Sequence, residues 1–327
     1  MTVRVSVVVP VYNTADRIAD CLRSIAAQTL PPAEVVLVDD RGRDDAIGVA
    51  RRTLADLGVP HVVATHDRNR GIGAARNTGL ARAGGDWVWF LDSDDTAEPT
   101  FLRRLHGAAA DHDAALAVCR TRKVDAEGHD LGIDEPPWPG PVVAGAEAAR
   151  LLLVNGMRAY ACNKLFRRDL LPPDPFDVGR TYEDFHPALR TLLDAHRVAL
   201  VDEPLYRYTT HAASVSGHFG AHTLDLLAVA DDVHAELDRR GLTRAWRRDY
   251  AAYLMMNVVL PLANMALRAE HARGADGDTR AAVAAARRLT RVTHLGRLVA
   301  ASRWHTAVAA GVLKAAPGLY STVLARR

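Results

Sequence analysis

Acidic residues run out before the chain does. Asp278 is the last Asp or Glu, and residues 279–327 carry nine Lys and Arg. Cysteine is scarce. Cys21, Cys119 and Cys162 are odd in number and far apart, which excludes a disulfide framework and a zinc-ligand pattern and fits a reducing compartment. Bulk charge is missing too. A net charge of +2 over 327 residues gives no argument for a nucleic-acid partner, and none is expected. No stretch reads as the ~18 uncharged apolar residues of a spanning helix. The first apolar run, Val5 to Val11, is interrupted by Pro10 and followed by Asn13, too short for a signal-peptide core. A cytosolic protein is expected.

What remains is a chain long enough for one large domain or two small ones, with 49% hydrophobic residues to fill a core. Its first hundred residues alternate in period. Val3 to Val9 is rich in β-branched residues and reads as a central strand, Glu34 to Val38 reads as a second, buried strand, and His61 to Thr65 as a third short one. Between them, Asp16 to Gln28, Ala46 to Leu57 and Ala74 to Arg82 read as helices, the first capped by Asn13 or Thr14. This predicts an α/β, doubly wound, mostly parallel sheet. Strands at Ala114 to Val124, Ala161 to Phe166 and Ala199 to Tyr208 and a helix from Tyr182 to Ala195 follow, with a loop over residues 125–141. Beyond about Gly217 the chain turns helical and rich in Ala, Leu and Arg, with a kink expected at Pro261. The expected domains are 1–216 and 217–327.

The chemistry gathers at Trp87-Val88-Trp89-Phe90-Leu91-Asp92-Ser93-Asp94-Asp95. A buried strand there releases three carboxylates into the crevice above the sheet, where open α/β sheets bind ligands. Three acids so close repel one another, and an oxygen-preferring divalent cation with a diphosphate relieves this. An acidic turn capping the helix after Pro99 is the plainer reading. The second strand delivers Asp39-Asp40 to the same edge, where carboxylates can accept from a base N–H or ribose hydroxyls. Asn69 to Gly79 is glycine-containing, but its third glycine position holds Arg76, so it is a poor dinucleotide fingerprint. It reads better as a helix bringing Arg76 toward an anion.

Taken together, Val7-Val8-Val9-Pro10-Val11-Tyr12-Asn13, Gln28-Thr29, Val38-Asp39-Asp40, Asn69-Arg70-Gly71 with Ala75-Arg76-Asn77-Gly79, and Phe90-Leu91-Asp92-Ser93-Asp94-Asp95 resemble the family 2 inverting glycosyltransferases of bacterial polysaccharide and cell-wall type. The resemblance implies a GT-A fold and transfer of a hexosyl or N-acetylhexosaminyl group from a nucleotide diphosphate-sugar, most commonly a UDP-sugar. The acceptor would be a glycan, a polyol-phosphate or a lipid-linked molecule. Pro10, Val11 and Tyr12 would border the nucleoside, Asp39 would read the base, and Asn69, Arg76, Asp92 and Ser93 would line the donor site. Asp92 and Asp94 would be the DxD pair holding Mn²⁺ or Mg²⁺. The family usually continues Gly-Ser-Thr-Asp after the Asp pair. This chain has Arg41-Gly42-Arg43-Asp44, a departure that bears on the base and ribose contacts.

The second half resembles the family more thinly. Ala161 to Arg167 matches a segment of polysaccharide-type members, and Tyr182-Glu183-Asp184-Phe185 matches the Glu-Asp motif whose Asp is the catalytic base. Helix capping by Glu183 and Asp184 is the alternative. Arg207 and His211, with Ser214 to Ser216 behind them, would face the leaving diphosphate. The basic C-terminal helices read either as a helical cap or homo-oligomer interface, or as a surface lying peripherally on anionic lipid. Two rivals to the enzyme reading are a non-catalytic GT-A scaffold binding a glycan or partner enzyme, and a nucleotidyltransferase. The second lacks its Gly-rich loop, because Tyr12 to Asp16 stand in its place.

Overall fold

The computed structural model describes residues 3–211 and 218–326. The chain forms two compact units: Met1–Ala149, Gly156–Gly179 and Glu183–His211 in the first, Arg150–Asn155, Arg180–Tyr182 and Ala212–Arg327 in the second. The boundary expected at Gly217, and Ser214 to Ser216, lie outside the described residues.

The first unit is built on a sheet of β1 (Val5–Val11), β2 (Glu34–Asp39), β3 (His61–Thr65), β4 (Trp87–Phe90), β5 (Thr96–Ala97), β6 (Leu116–Val124), β7 (Asp130–Ile133), β8 (Val142–Ala144), β9 (Lys164–Arg167) and β10 (Arg197–Thr209). The order is β3-β2-β1-β4-β9-β6-β10-β5, with β7 on β6 and β8 on β10. The long ladders, β1 with β2 and β6 with β10, are parallel. Every residue of β1 is buried, as a β-branched strand with helices on both faces requires. Strand β9 runs antiparallel between β4 and β6 and joins the two parallel blocks.

Helices α1 (Ile18–Ala26), α2 (Ala46–Asp56), α3 (Ile72–Arg82), α4 (Phe101–Asp111), α5 (Gly145–Leu153) and α6 (Phe185–Asp194) accompany the sheet. Helix α1 buries Ile18, Cys21, Leu22 and Ile25, one stripe at helical spacing. The expected cap from Asn13 or Thr14 is not made. The Thr14 hydroxyl donates to Ser93 Oγ at 3.0 Å, and Asn13 Oδ1 accepts from the Arg43 N–H at 2.6 Å. Those polar groups tie strand ends together instead. Helix α3 lies close on the sheet because Gly79 has no side chain. A Cβ there would stand 2.2 Å from Val8 Cγ1.

Two expectations change in this unit. Residues 125–141 contain β7, paired to β6 around a turn closed by Asp125. The helix expected from Tyr182 begins at Phe185, because Tyr182 takes a left-handed φ of 61°.

The second unit holds α7 (Asp225–Arg239), α8 (Arg247–Tyr253), α9 (Leu260–Arg273), α10 (Gly277–Leu289), α11 (Val292–Ala300), α12 (Trp304–Ala315) and α13 (Pro317–Leu324). Between α8 and α9, Leu254–Val259 is a π-helical stretch that ends just before Pro261. The wider turn absorbs the proline's missing N–H and ring clash without breaking the rod. Arg247–Arg273 is therefore one 27-residue helix, apolar and long enough to cross a membrane by composition. This corrects the expectation that no such stretch exists, since Asn257, Pro261 and Asn264 interrupt the apolar run without adding charge. Yet 61% of its apolar window is buried in the protein. Met255, Val259, Leu262, Ala263 and Ala266 are all fully buried.

Candidate active site

Parallel pairing of β1 with β2 and of β1 with β4 puts three strand ends on one edge. Pro10 and Val11 are buried at the end of β1, and Tyr12 projects beyond it, 43% exposed. Asp39 and Asp40 then point apart, as adjacent residues at a strand end do. Asp40 is buried. It accepts from the Arg70 N–H at 2.8 Å and the Gly71 N–H at 2.9 Å, and meets His66 Nδ1 at 2.6 Å. It thereby fixes the loop carrying Asn69, whose Oδ1 accepts from Gly71 N–H, and the start of α3. Asp39 stays at the rim. Its carboxylate accepts from the Arg41 N–H at 2.9 Å and lies 3.7 Å from the Arg41 guanidinium. Arg41, the residue that departs from the family pattern, thus sits on the candidate base reader.

Arg76, on the first turns of α3, is buried. Nη2 donates to Asp92 Oδ1 and Nη1 to Glu183 Oε1, each at 2.8 Å. Its guanidinium also lies 5.3 Å from the Phe176 ring centre, a favourable cation–π approach. The next residue, Asn77, exchanges two hydrogen bonds with the Phe176 backbone. Burial alone would disfavour the guanidinium charge, but Asp92 and Glu183 outweigh it and hold Arg76 charged. Sequence reasoning placed Arg76 beside donor phosphate or sugar; here two carboxylates engage it.

The acids after β4 divide their work. Asp95 is buried, accepting from the Tyr206 hydroxyl and, at 2.7 Å, from the Thr209 N–H. Burial raises its pKa well above the ordinary range, and Asp94 and Asp92 add to that. Ser93 accepts from Thr14. Asp94 faces His211 Nε2 at 3.7 Å and Arg17 Nη1 at 4.0 Å. Its pKa is raised by burial and by Asp92. His211 Nε2 is itself buried without a hydrogen-bond partner among the described residues. Asp92, Asp95 and Cys162 also bring ligand atoms within 4.8 Å of one another. An orphaned imidazole nitrogen facing a carboxylate, inside an acidic cluster whose charges repel, fits a divalent cation.

Glu183 and Asp184 open α6. Asp184 occupies the N-cap position, yet its side chain makes no capping hydrogen bond. Simple capping therefore does not explain it. Burial pushes Glu183 up to about 7, against the pull of Arg76. Asp184 is raised for the same reason, with Arg76 and then Lys164 opposing. Lys164 is buried and donates to the Arg158 carbonyl at 2.7 Å, the Tyr160 carbonyl at 2.6 Å and Asn163 Oδ1 at 2.9 Å. Burial lowers it to about 8.

Arg207 is not brought to this cluster. Strand alternation turns Tyr206 to Asp95 and Arg207 to the other face, where it donates to Glu98 at 2.8 Å. Residues singled out by the structure but not assigned from sequence are Asp95, Cys162, Lys164, Tyr206 and Arg17. Asp95, Cys162, Lys164 and Tyr206 lay inside motifs read from the sequence; Arg17 carried no signal, because its partner Asp94 is distant in sequence.

This sheet order, with carboxylates at the edge where parallel strands end, is that of a GT-A α/β domain. The chain belongs to glycosyl transferase family 2, whose model matches residues 6–172. The uncharacterized glycosyltransferase YibD of Escherichia coli K12 is 28% identical over 222 residues, 66% of this chain and 64% of that one. The chain thus spans a little under two thirds of that relative's length. Staphylococcus aureus TarS, residues 1–349 in complex with UDP-GlcNAc, superposes with a TM-score of 0.67 at 20% identity, covering 98% of this chain and 90% of that one. The Pyrobaculum calidifontis mannosyltransferase PcManGT, in complex with GDP-Man and Mn²⁺, gives 0.51 at 21% identity, covering 95% and 86%. Both establish likeness of fold.

Proposed function

We propose that the chain is a metal-dependent inverting glycosyltransferase. It moves a hexosyl or N-acetylhexosaminyl group from a nucleotide diphosphate-sugar to a hydroxyl of a glycan, polyol-phosphate or lipid-linked acceptor. One observation carries the reading. Asp184 stands uncapping at the start of α6, next to the Glu183–Arg76–Asp92 chain that leads to the acids of β4.

In this reading Asp184 accepts the proton of the acceptor hydroxyl while that oxygen attacks the anomeric carbon. Attack comes from the face opposite the diphosphate, whose bond to the anomeric carbon breaks in the same displacement. The configuration inverts, and no sugar–enzyme bond forms. Arg76 pairs directly with Glu183, opposing the rise that burial gives its pKa, and holds the base-bearing helix start against β4. Asp94, with Asp92 and His211, would hold Mn²⁺ or Mg²⁺, which neutralises charge on the leaving diphosphate. Pro10, Val11 and Tyr12 border the nucleoside, and Asp39, with Arg41, meets its base. Asn69 and Ser93 help line the donor site.

The donor to test first is a UDP-sugar, since TarS binds UDP-GlcNAc, and GDP-mannose second, after PcManGT. A panel of nucleotide-sugars is screened for thermal stabilisation with Mn²⁺, because a ligand of the folded state raises stability by mass action. The donor found is then used for transfer, and the product anomer is read by NMR. Stabilisation by one donor and an inverted linkage are expected. Absence of any stabilisation, or a retained configuration, overturns the proposal.

A further inference from the structure

Helices α11, α12 and α13 show solvent what a soluble surface normally hides. Val292 and Val299 on α11 are 74% and 59% exposed, Trp304 and Val308 on α12 56% and 57%, and Leu319 and Val323 on α13 58% and 49%. Each pair stands seven or four residues apart, so each shares one face of its helix. The inner faces of α11 and α12 are occupied: Leu298, Ala307, Ala310 and Leu313 are buried, while α13 buries no residue. Helices α11 and α12 are thus packed on one side and apolar on the other, and α13, which follows α12 directly, adds two more exposed apolar side chains. Isolated exposed apolar side chains need no explanation, but a repeated set on neighbouring helices does.

Charge says what covers them. After Asp278 every formally charged side chain is positive, nine in all. Arg280, Arg287, Arg288, Arg291 and Arg326 are exposed. Among the described residues, none of these arginines pairs with a carboxylate. A second copy of the chain would bring the same positive surface against itself, which an isologous contact must overcome. An anionic bilayer complements it. Apolar side chains and a tryptophan enter the interface while arginines stay at the headgroups.

We propose that α11–α13 form a docking surface for an anionic lipid bilayer, on which the protein rests without spanning it. The reading stands apart from the transferase assignment, because it is tested without sugar transfer.

The test is flotation of the full chain with vesicles of pure phosphatidylcholine, or of phosphatidylcholine mixed with phosphatidylglycerol. Binding is expected only to the mixed vesicles, and is lost when salt near 1 M shortens the screening length to about 3 Å. Trp304 is the most exposed tryptophan, so its emission should shift to the blue on binding, and Trp304→Leu should remove the shift. Val308→Asp changes an exposed residue and should keep the thermal midpoint while lowering the bound fraction about tenfold. Equal binding to neutral vesicles, no binding at low salt, or unchanged binding by Val308→Asp overturns the proposal. So does a concentration-dependent dimer, abolished by Val308→Asp, in a chain that ignores both vesicles.

Discussion

Arg76 donates to Glu183 at 2.8 Å across 107 residues of sequence. The same guanidinium holds Asp92, so one buried cation joins the end of β4 to the start of α6. The acid cluster and the candidate base are positioned by a single side chain. A bridge through a buried cation is costly to break, because each partly buried carboxylate left behind loses its partner.

Arg76→Ala should therefore destabilise the fold by about 3–5 kcal/mol, the range for removing one partner of a buried ion pair. Arg76→Lys keeps the charge but lacks the planar fork, and should fall between the two. Chemical denaturation of the three proteins checks this. A loss below about 1 kcal/mol in the alanine variant would show the bridge to be a surface pair in effect.

Asp184→Asn removes the proton acceptor and leaves the donor site intact. Turnover should fall ~10²–10⁴-fold, while calorimetric donor affinity stays the same. Near-normal turnover would take Asp184 out of the mechanism.

The base must be ionised to accept a proton. Burial raises both Asp184 and Glu183, the latter to about 7. A raised carboxyl is protonated and idle at acid pH, so kcat/KM should climb as pH rises, with its midpoint above the ~4 of an ordinary carboxylate. Because the two acids are neighbours, the midpoint belongs to the pair. A profile already flat above pH ~5 would contradict the assignment.

Asp94 faces His211 Nε2, which has no hydrogen-bond partner among the described residues, at 3.7 Å. Asp94→Ala should abolish metal-dependent donor binding, and His211→Ala should weaken it about 10–100-fold. Titration calorimetry with Mn²⁺ and donor reads both. Wild-type affinity in the Asp94 variant would place the cation elsewhere.

Gly79→Ala puts a methyl 2.2 Å from Val8 Cγ1. Overpacking of this kind costs about 1–3 kcal/mol. Val8→Ala in the same chain should return part of it, and the thermal midpoints of the two variants show whether α3 and β1 touch there.

The first four strands, the helices between them and the acidic strand ends were all legible from periodicity. Covered strands and amphipathic helices write their burial directly into local sequence. The Asp92-Ser93-Asp94 and Glu183-Asp184 stretches stood out as candidate motifs. What each acid does was not legible. Asp39 and Asp40 are adjacent and chemically alike, yet one anchors a loop and the other meets Arg41 at the rim. Arg207 sits one residue from Tyr206, and proximity in sequence suggested a shared site. Alternation along β10 sends it to Glu98 instead.

The amino-acid order alone thus settled the strand–helix alternation, the edge where the carboxylates emerge and the family. Only the folded chain decided which carboxylates Arg76 joins, which acid faces His211 and that Asp184 does not cap its helix. Periodicity reports whether a side chain is inside. Its partner is chosen by the packing of segments more than a hundred residues apart, and no local pattern records that.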